Sequence, residues 1–283
     1  MRAAVLHEVG APLAVEDVPE PEVSEGQSLV AVRAAGINFA DVLIRLGHYP
    51  QPPPLPTVLG NEVAGEIDGR RVLAFVRQAG GGYAERVAVD DEWVFDLPPG
   101  ATFAEGAAFL TTYLTAYVPF TRQAQIHPGS HVLVTAAAAG SEEKRALALE
   151  LGADAAVSYE EIAELRDVDV ALDPVGGPVF TACLGALRPL GVAIGIGFAG
   201  GPWEPVDPAR LVGRNTGAVG FYLGRLMGFE PELVRSDARG LLELWRRGAI
   251  RPVVGAEYPL EEANEAHELI ASRRSTGKVV LVP

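Results

Sequence analysis

The residues of this chain that could do metal or nucleophilic chemistry are few and scattered. Its 283 residues include one cysteine, Cys183, and five histidines. A single thiol can neither close an internal disulfide nor supply a four-cysteine zinc site, and the histidines are scattered along the chain. The sequence therefore predicts no metal site, with the histidines on the surface or half-buried. They are His7, His48, His127, His131 and His267.

Polar side chains with hydrogens to donate occur in residues 36–50, GINFADVLIRLGHYP. Asn38 offers an amide and Tyr49 a phenol. Taken alone, these residues have an equally simple structural explanation, in which Asn38 and Asp41 cap a helical turn. Tyr49 would then pack against the following prolines, which have no amide hydrogens for a strand ladder.

A possible phosphate-binding segment follows at residues 132–144, VLVTAAAAGSEEK. A dinucleotide site needs a strand, a glycine turn, a helix whose N-terminus meets the pyrophosphate, and a second strand about twenty residues later. Only the first strand is clearly present. Ser141 is predicted to be the N-cap of the next helix, with Lys144 on its surface, and Glu142 and Glu143 would repel a diphosphate.

Two kinds of secondary structure must position these residues. Up to about residue 98, short alternating segments split by glycine and proline predict a strand-rich, barrel-like domain. Residues 102–117 predict one long buried helix. Strands and helices then alternate, which predicts a parallel sheet and an α/β fold, and a final helix and strand could return to the first domain.

Composition excludes several classes of protein. The net charge of −14 is spread along the chain, which disfavours a nucleic-acid-binding face. No apolar run is long enough to span a membrane, and the first residues, MRAAVLHEVG, lack a signal pattern. We therefore expect a soluble, cytoplasmic protein without a membrane or nucleic-acid partner.

Four stretches together resemble the zinc-free quinone oxidoreductase (zeta-crystallin-like) branch of the medium-chain dehydrogenase/reductase superfamily. They are GINFADVLIRLGHYP at 36–50, GGYAERVAV at 81–89, HPGSHVLVTAAAAG at 127–140 and TGKVVL at 276–281. The resemblance implies a GroES-like domain at 1–118, completed by 252–283, and a Rossmann cofactor-binding domain at 119–251. It also implies an active site in the cleft between the two domains and a homodimer.

The resemblance also implies the chemistry. Zinc alcohol dehydrogenases of this superfamily have a cysteine and a histidine where this chain has Asn38 and Asn61, so a zinc-activated alcohol is disfavoured. The implied reaction is hydride transfer from NADPH to a quinone or an α,β-unsaturated carbonyl. Asn38, Tyr49 and Asp41 are the implied catalytic residues, with Asn38 and Tyr49 bonding the developing oxyanion. Tyr49 could also donate a proton, although a phenol is a reluctant acid at neutral pH.

Cofactor contacts are implied along the second domain. Ser141 and Lys144 match a Ser-x-x-Lys that holds the 2′-phosphate of NADPH, which favours NADPH over NADH. The glycines of Gly195-Ile196-Gly197 would let the nicotinamide approach the sheet. For Phe221 and Leu223, beside that position and in a segment that commonly pairs subunits, core packing is as good an explanation. The implied cofactor-binding residues are Ala138, Ala139, Gly140, Ser141, Lys144, Tyr159, Gly195, Ile196, Gly197, Phe221, Leu223 and Lys278.

One junction departs from the family pattern. The family's Ser-x-x-Lys follows the second strand of the fold, whereas here it follows Gly140 directly, so a helix and a strand of about twenty residues are absent. Either residues are missing between Gly140 and Ser141 in the sequence as given, or the segment is truly deleted. A deletion would make the chain a cofactor-poor, non-catalytic binding or interaction module.

Overall fold

The computed structural model describes residues 1–76, 80–135, 141–201 and 203–283. They form two compact units. The strand-rich unit comprises Met1–Leu114 with Glu232–Pro283, and the parallel-sheet unit comprises Thr115–Pro231. In neither unit does a described helix have the length and apolar character needed to cross a membrane.

The strand-rich unit is built from ten strands among the described residues. They are β1 Arg2–Leu6, β2 Ala14–Asp17, β3 Gln27–Ile37, β4 Thr57–Val58, β5 Glu62–Ile67, β6 Arg70–Phe75, β7 Arg86–Asp90, β8 Val94–Asp96, β13 Val254–Pro259 and β14 Lys278–Val282. One sheet has the order β2-β1-β4. The other has the order β13-β14-β3-β5-β6-β8, with β7 also paired to β3.

The C-terminal segment returns to this unit, because β14 pairs antiparallel with β3 and places Val279 opposite Ile37. Residues 278–282 are mostly apolar, and the middle three are buried in the main core with strands β3 and β5. The helices of this unit are α1 Phe39–Arg45, α2 Phe103–Ala107, α3 Leu110–Arg122, which continues into the other unit, α9 Pro231–Arg246 and α10 Ala263–Ala271.

The parallel-sheet unit contains β9 Val132–Val134, β10 Val168–Asp173, β11 Leu187–Gly195 and β12 Gly217–Gly220. The order is β12-β11-β10-β9, and all three pairings are parallel. The central strand β10 is almost entirely buried, as expected for an apolar strand covered on both faces. The helices that begin in this unit are α4 Glu142–Glu150, α5 Tyr159–Ile162, α6 Gly177–Ala186, α7 Pro208–Arg214 and α8 Leu223–Phe229.

The edge of this sheet at β9 is only thinly covered. Within the described residues β9 pairs with β10 alone, and Val132 is 40% exposed. Helix α4 begins at the predicted N-cap Ser141, whose hydroxyl accepts from the amide of Lys144, but none of its nine residues is buried. Its apolar side therefore lacks the sheet surface against which such a helix normally packs.

Two sequence-based helix boundaries were wrong, and the compact units divide at a different residue from the predicted domains. The single helix expected over 102–117 is two, α2 and α3, because the chain turns at residues 108–109. The sequence of residues 178–191 also predicts one helix, but from Leu187 onward these residues begin β11. The expected return to the first domain at 252 occurs at Glu232, because α9 belongs to the strand-rich unit, where Trp245 stacks on Phe109 with ring centroids 4.6 Å apart.

Candidate active site

Asp41 anchors the start of α1 from a fully buried position. Its Oδ2 accepts from the backbone N–H of Asn38 at 2.8 Å and from the Tyr83 hydroxyl at 3.0 Å. Burial raises the pKa of Asp41 to about 6, although these two hydrogen bonds and the charge of Lys278 lower it. The predicted capping role of Asp41 is therefore observed, and its carboxylate is fully engaged inside the protein.

Lys278 and Glu62 form an ion pair immediately beside Asn38. Their side chains are 10% and 1% exposed, so both charges are largely desolvated. Lys278 Nζ also donates to Asn38 Oδ1 at 2.6 Å and to Thr112 Oγ1 at 3.4 Å. Glu62 Oε2 accepts from the backbone N–H of Thr111 at 2.9 Å. The network is held from the N-cap of α1 and from β5, β14 and α3, which are distant in sequence.

Asn38 is bound at both ends of its amide. Its oxygen accepts from Lys278, and its nitrogen donates to Asn61 Oδ1 at 2.8 Å and to Glu62 Oε1 at 3.0 Å. Asn38 and Asn61 occupy the positions at which zinc alcohol dehydrogenases have a cysteine and a histidine. The structure brings these two asparagines into direct contact. The sequence singles out Asn61 only as the residue at a zinc-ligand position and does not predict that it hydrogen-bonds to Asn38.

Tyr49 lies in a bend after α1 and is half-buried. It occupies the segment that leads into the prolines, as the sequence indicated. The expected hydrogen bond from its hydroxyl to the substrate oxygen stays a prediction.

His267 corrects the expectation for the histidines. Four of the five are exposed, but His267 on α10 is fully buried, with its ring edge-to-face against Tyr83 at 5.7 Å. Among the residues that the structure describes, neither of its ring nitrogens finds a hydrogen-bond partner. Burial and the nearby charge of Arg45 lower its pKa to about 3, so the imidazole is neutral.

The carboxyl ends of the parallel strands bring a second set of residues together. Buried Asp173 ends β10 and accepts from the Thr135 hydroxyl and from the backbone N–H groups of Val175 and Gly176, at 3.0 and 2.8 Å for the two amides. Gly195 ends the neighbouring β11. A β-carbon on Gly195 would lie 2.2 Å from the Trp203 ring, so this glycine is covered by an indole of the same unit.

The other predicted cofactor residues surround this edge or flank it. Ile196 donates its N–H to the carbonyl of Asp173, and Gly197 follows it. Phe221 packs against the cluster of Val170, Leu172 and Ile194, and Leu223 is buried at the start of α8, which matches the core-packing explanation.

The phosphate-binding prediction is only partly covered by the structure. Ser141 is exposed and Lys144 half-buried at the start of α4, and Tyr159 begins α5, half-buried against the neighbouring apolar cluster. Ala138, Ala139 and Gly140 lie outside the described residues, as does the Gly140–Ser141 separation. Among the residues that are described, no cluster of three or more metal-ligating side chains occurs.

Comparison with known proteins identifies the family. Residues 24–99 match the alcohol dehydrogenase GroES-like domain, and residues 151–281 match the zinc-binding dehydrogenase family. A quinone oxidoreductase-like protein 2 homolog from Nematostella vectensis is 34% identical over an alignment that covers 99% of this chain and 88% of the relative. The chain belongs to the medium-chain dehydrogenase/reductase superfamily. Its relatives within the superfamily include quinone oxidoreductase-like proteins, as the sequence motifs predicted.

Solved structures of the superfamily confirm the predicted α/β fold. The quinone oxidoreductase of Thermus thermophilus, studied also in complex with NADPH, superimposes with a TM-score of 0.90 at 38% identity and full coverage of both chains. The human synaptic vesicle membrane protein VAT-1 homolog is 31% identical, covering 93% of this chain and 80% of that protein.

This chain lacks internal residues that its aligned relative has. The alignment with the Nematostella vectensis protein spans 323 positions, and the chain has 283 residues, so at least 40 aligned positions have no residue here. The thinly covered β9 edge and the unburied α4 are consistent with material absent from the parallel-sheet unit.

Proposed function

We propose that this protein is an NADPH-dependent, zinc-independent oxidoreductase that reduces quinones or the double bond of α,β-unsaturated carbonyls. The observation that carries the proposal is the amide, ammonium and carboxylate network of Asn38, Asn61, Lys278 and Glu62. Where a zinc enzyme of the superfamily needs a thiolate and an imidazole, this chain has two asparagines hydrogen-bonded to each other. Amides can bond an acceptor oxygen but cannot acidify an alcohol as zinc does.

The protein's part in such a reaction is binding and electrostatic stabilisation. Bound NADPH would supply the hydride, and a proton from solvent would complete reduction of the acceptor. Polar hydrogens fixed beforehand around the acceptor oxygen stabilise the negative charge that grows there, without reorganising during the reaction. The Tyr49 hydroxyl is proposed to donate a further hydrogen bond to that oxygen.

The start of α4 supports binding of a phosphorylated dinucleotide. Ser141 and Lys144 at the start of α4 offer a hydroxyl and an ammonium for a 2′-phosphate. Gly195 ends β11 at the carboxyl edge of the sheet, where nucleotides bind in this fold, but the Trp203 indole covers it, so a nicotinamide could approach Gly195 only if that ring moved. Against these stand Glu142 and Glu143 in the first turn of α4, which oppose a pyrophosphate there.

A second candidate function follows from the internal shortening. If the 40 or more absent positions include the pyrophosphate turn and its helix, the chain binds acceptor-like ligands on the strand-rich unit without a cofactor. The unburied α4 favours this candidate. The protein would then be a binding module with no reductase activity.

Titration with NADPH separates the two candidates. An enzyme at a hundredfold excess of NADPH over its dissociation constant should gain about 2.7 kcal/mol of stability, seen as a raised melting temperature. Because Trp203 covers Gly195, bound NADPH should also quench its fluorescence, and Trp203→Phe should remove that signal. A binding module would show neither effect, and equal turnover with NADH would contradict the proposed NADPH preference.

Acceptor assays then define the substrate class. We expect NADPH oxidation with 9,10-phenanthrenequinone or a small enone, and the ratio of the two rates distinguishes the classes. Lys144→Ala should raise KM for NADPH with little change for NADH. A cytoplasmic location, expected from the composition, and a homodimer, implied by the family resemblance, are part of the proposal. Cell fractionation tests the location. A monomer-sized elution volume would contradict the homodimer.

A further inference from the structure

The hydrogen bonds that join Lys278, Asn38 and Asn61 can run in only one direction. An ammonium group donates and never accepts, so the Asn38 amide atom 2.6 Å from Lys278 Nζ must be its oxygen. The Asn38 nitrogen then faces Asn61 at 2.8 Å, and the Asn61 atom that meets it must be an acceptor, its Oδ1. The lysine thereby determines the orientation of both amides.

This direction leaves Asn38 without a hydrogen for a substrate. Its two amide hydrogens are directed at Asn61 Oδ1 and Glu62 Oε1, and the three hydrogens of Lys278 are directed at Asn38, Glu62 and Thr112. Asn61 uses only its oxygen. Throughout the part of the chain that the structure describes, the Asn61 Nδ2 donates to no other residue, and its side chain is half-buried.

The backbone holds Asn61 in place. The carbonyl of Asn61 accepts from the N–H of Val76 at 2.8 Å. The preceding Gly60 has φ of +91°, and a β-carbon there would lie 2.4 Å from the Tyr83 ring. Since Tyr83 is itself bonded to Asp41, the turn that carries Asn61 rests on a buried, fully packed support. A donor fixed in this way needs little reorganisation when it meets an anionic oxygen.

We propose that Asn61, rather than Asn38, donates the hydrogen bond to the carbonyl oxygen of the acceptor, and that Asn38 is a positioning residue that orients it. The inference rests on the proposed function for its substrate class, a quinone or conjugated carbonyl whose oxygen becomes anionic on reduction. It differs from the sequence-based expectation, in which Asn38 itself bonded that oxygen.

Binding of 4-nitrophenolate tests this without any cofactor. The probe carries an anionic oxygen on a ring, and 4-nitroanisole is its neutral methyl ether of nearly the same shape. We expect the wild-type protein to prefer 4-nitrophenolate. Asn61→Leu, which keeps the size but removes the amide, should weaken 4-nitrophenolate roughly tenfold or more while leaving 4-nitroanisole unchanged. Asn61→Gln, which restores an amide, should recover part of the preference.

Each other result overturns the inference. It fails if wild type has no preference for the phenolate, if Asn61→Leu keeps that preference, or if the variant loses both probes equally, since equal loss indicates a role in shape alone. Asn215→Asp, an exposed asparagine in the other unit, is the control for substitution and should leave both affinities unchanged. Failure of the proposed function is a separate outcome, in which wild type oxidises no NADPH with any acceptor whatever the phenolate result.

Discussion

Tyr83 separates two buried titratable groups whose effects on stability should oppose each other as the pH falls. On one side its hydroxyl donates to Asp41, and on the other its ring contacts His267. Burial raises the pKa of Asp41 from 3.8 to about 6 and lowers that of His267 from 6.5 to about 3. Burial favours the neutral form of both groups, and neutrality means a bound proton for one and none for the other.

The magnitude follows from the linkage between protonation and folding. At pH 5 the unfolded chain has protonated His267 and the folded chain has not, so the free energy of unfolding falls by about 2 kcal/mol between pH 7 and pH 5. Asp41 acts in the other direction. Over the same interval the folded chain binds a proton that the unfolded chain does not, and stability rises by about 1 kcal/mol.

The perturbation is to remove each group in turn and measure the change between the two pH values. His267→Phe keeps an aromatic ring against Tyr83 but cannot titrate, so relative to wild type it should gain about 2 kcal/mol on acidification. Asp41→Asn should lose about 1 kcal/mol relative to wild type. Constant effects of each substitution cancel, because only the pH-dependent part is compared.

Urea unfolding followed by tryptophan fluorescence is the assay. In a Trp203→Phe background the remaining tryptophans, Trp93 and Trp245, both lie in the strand-rich unit that contains the two groups. His48→Gln is the control, since that histidine is exposed, and it should follow wild type. The reasoning is refuted if His267→Phe and wild type change equally between pH 7 and pH 5.

Three further predictions concern packing and charge. Lys278→Met should destabilise the protein by about 3–5 kcal/mol in urea unfolding, because it leaves the buried carboxylate of Glu62 unpaired. Replacing Glu62 by leucine as well should recover most of the loss. Cys183 is fully buried, and burial together with the nearby Asp173 raises its pKa to about 12, so the native thiol should not react with Ellman's reagent, whereas one thiol per chain should react in urea. Gly60→Ala should cost about 1–3 kcal/mol more than Gly26→Ala, because both have positive φ but only the former meets a ring; equal losses would contradict this.

Much of the fold was predictable because its signals are local. Ser141 as a helix cap and the alternation of strands and helices in the second half of the chain depend on a few neighbouring residues, and the structure agrees with both. The expected helix over 102–117 was wrong because its apolar composition does not reveal the turn at residues 108–109. The boundary near 232 was missed because the stacking of Trp245 on Phe109 joins residues far apart in sequence.

By itself the sequence determined the superfamily, the order of its two structural halves and the asparagines at two zinc-ligand positions, since these depend on residue types along the chain. Only the tertiary structure decided which amide hydrogens are occupied. Lys278 and Asn38 are 240 positions apart, and their contact exists only because β14 pairs with β3. The burial of His267 against Tyr83 likewise depends on the packed core.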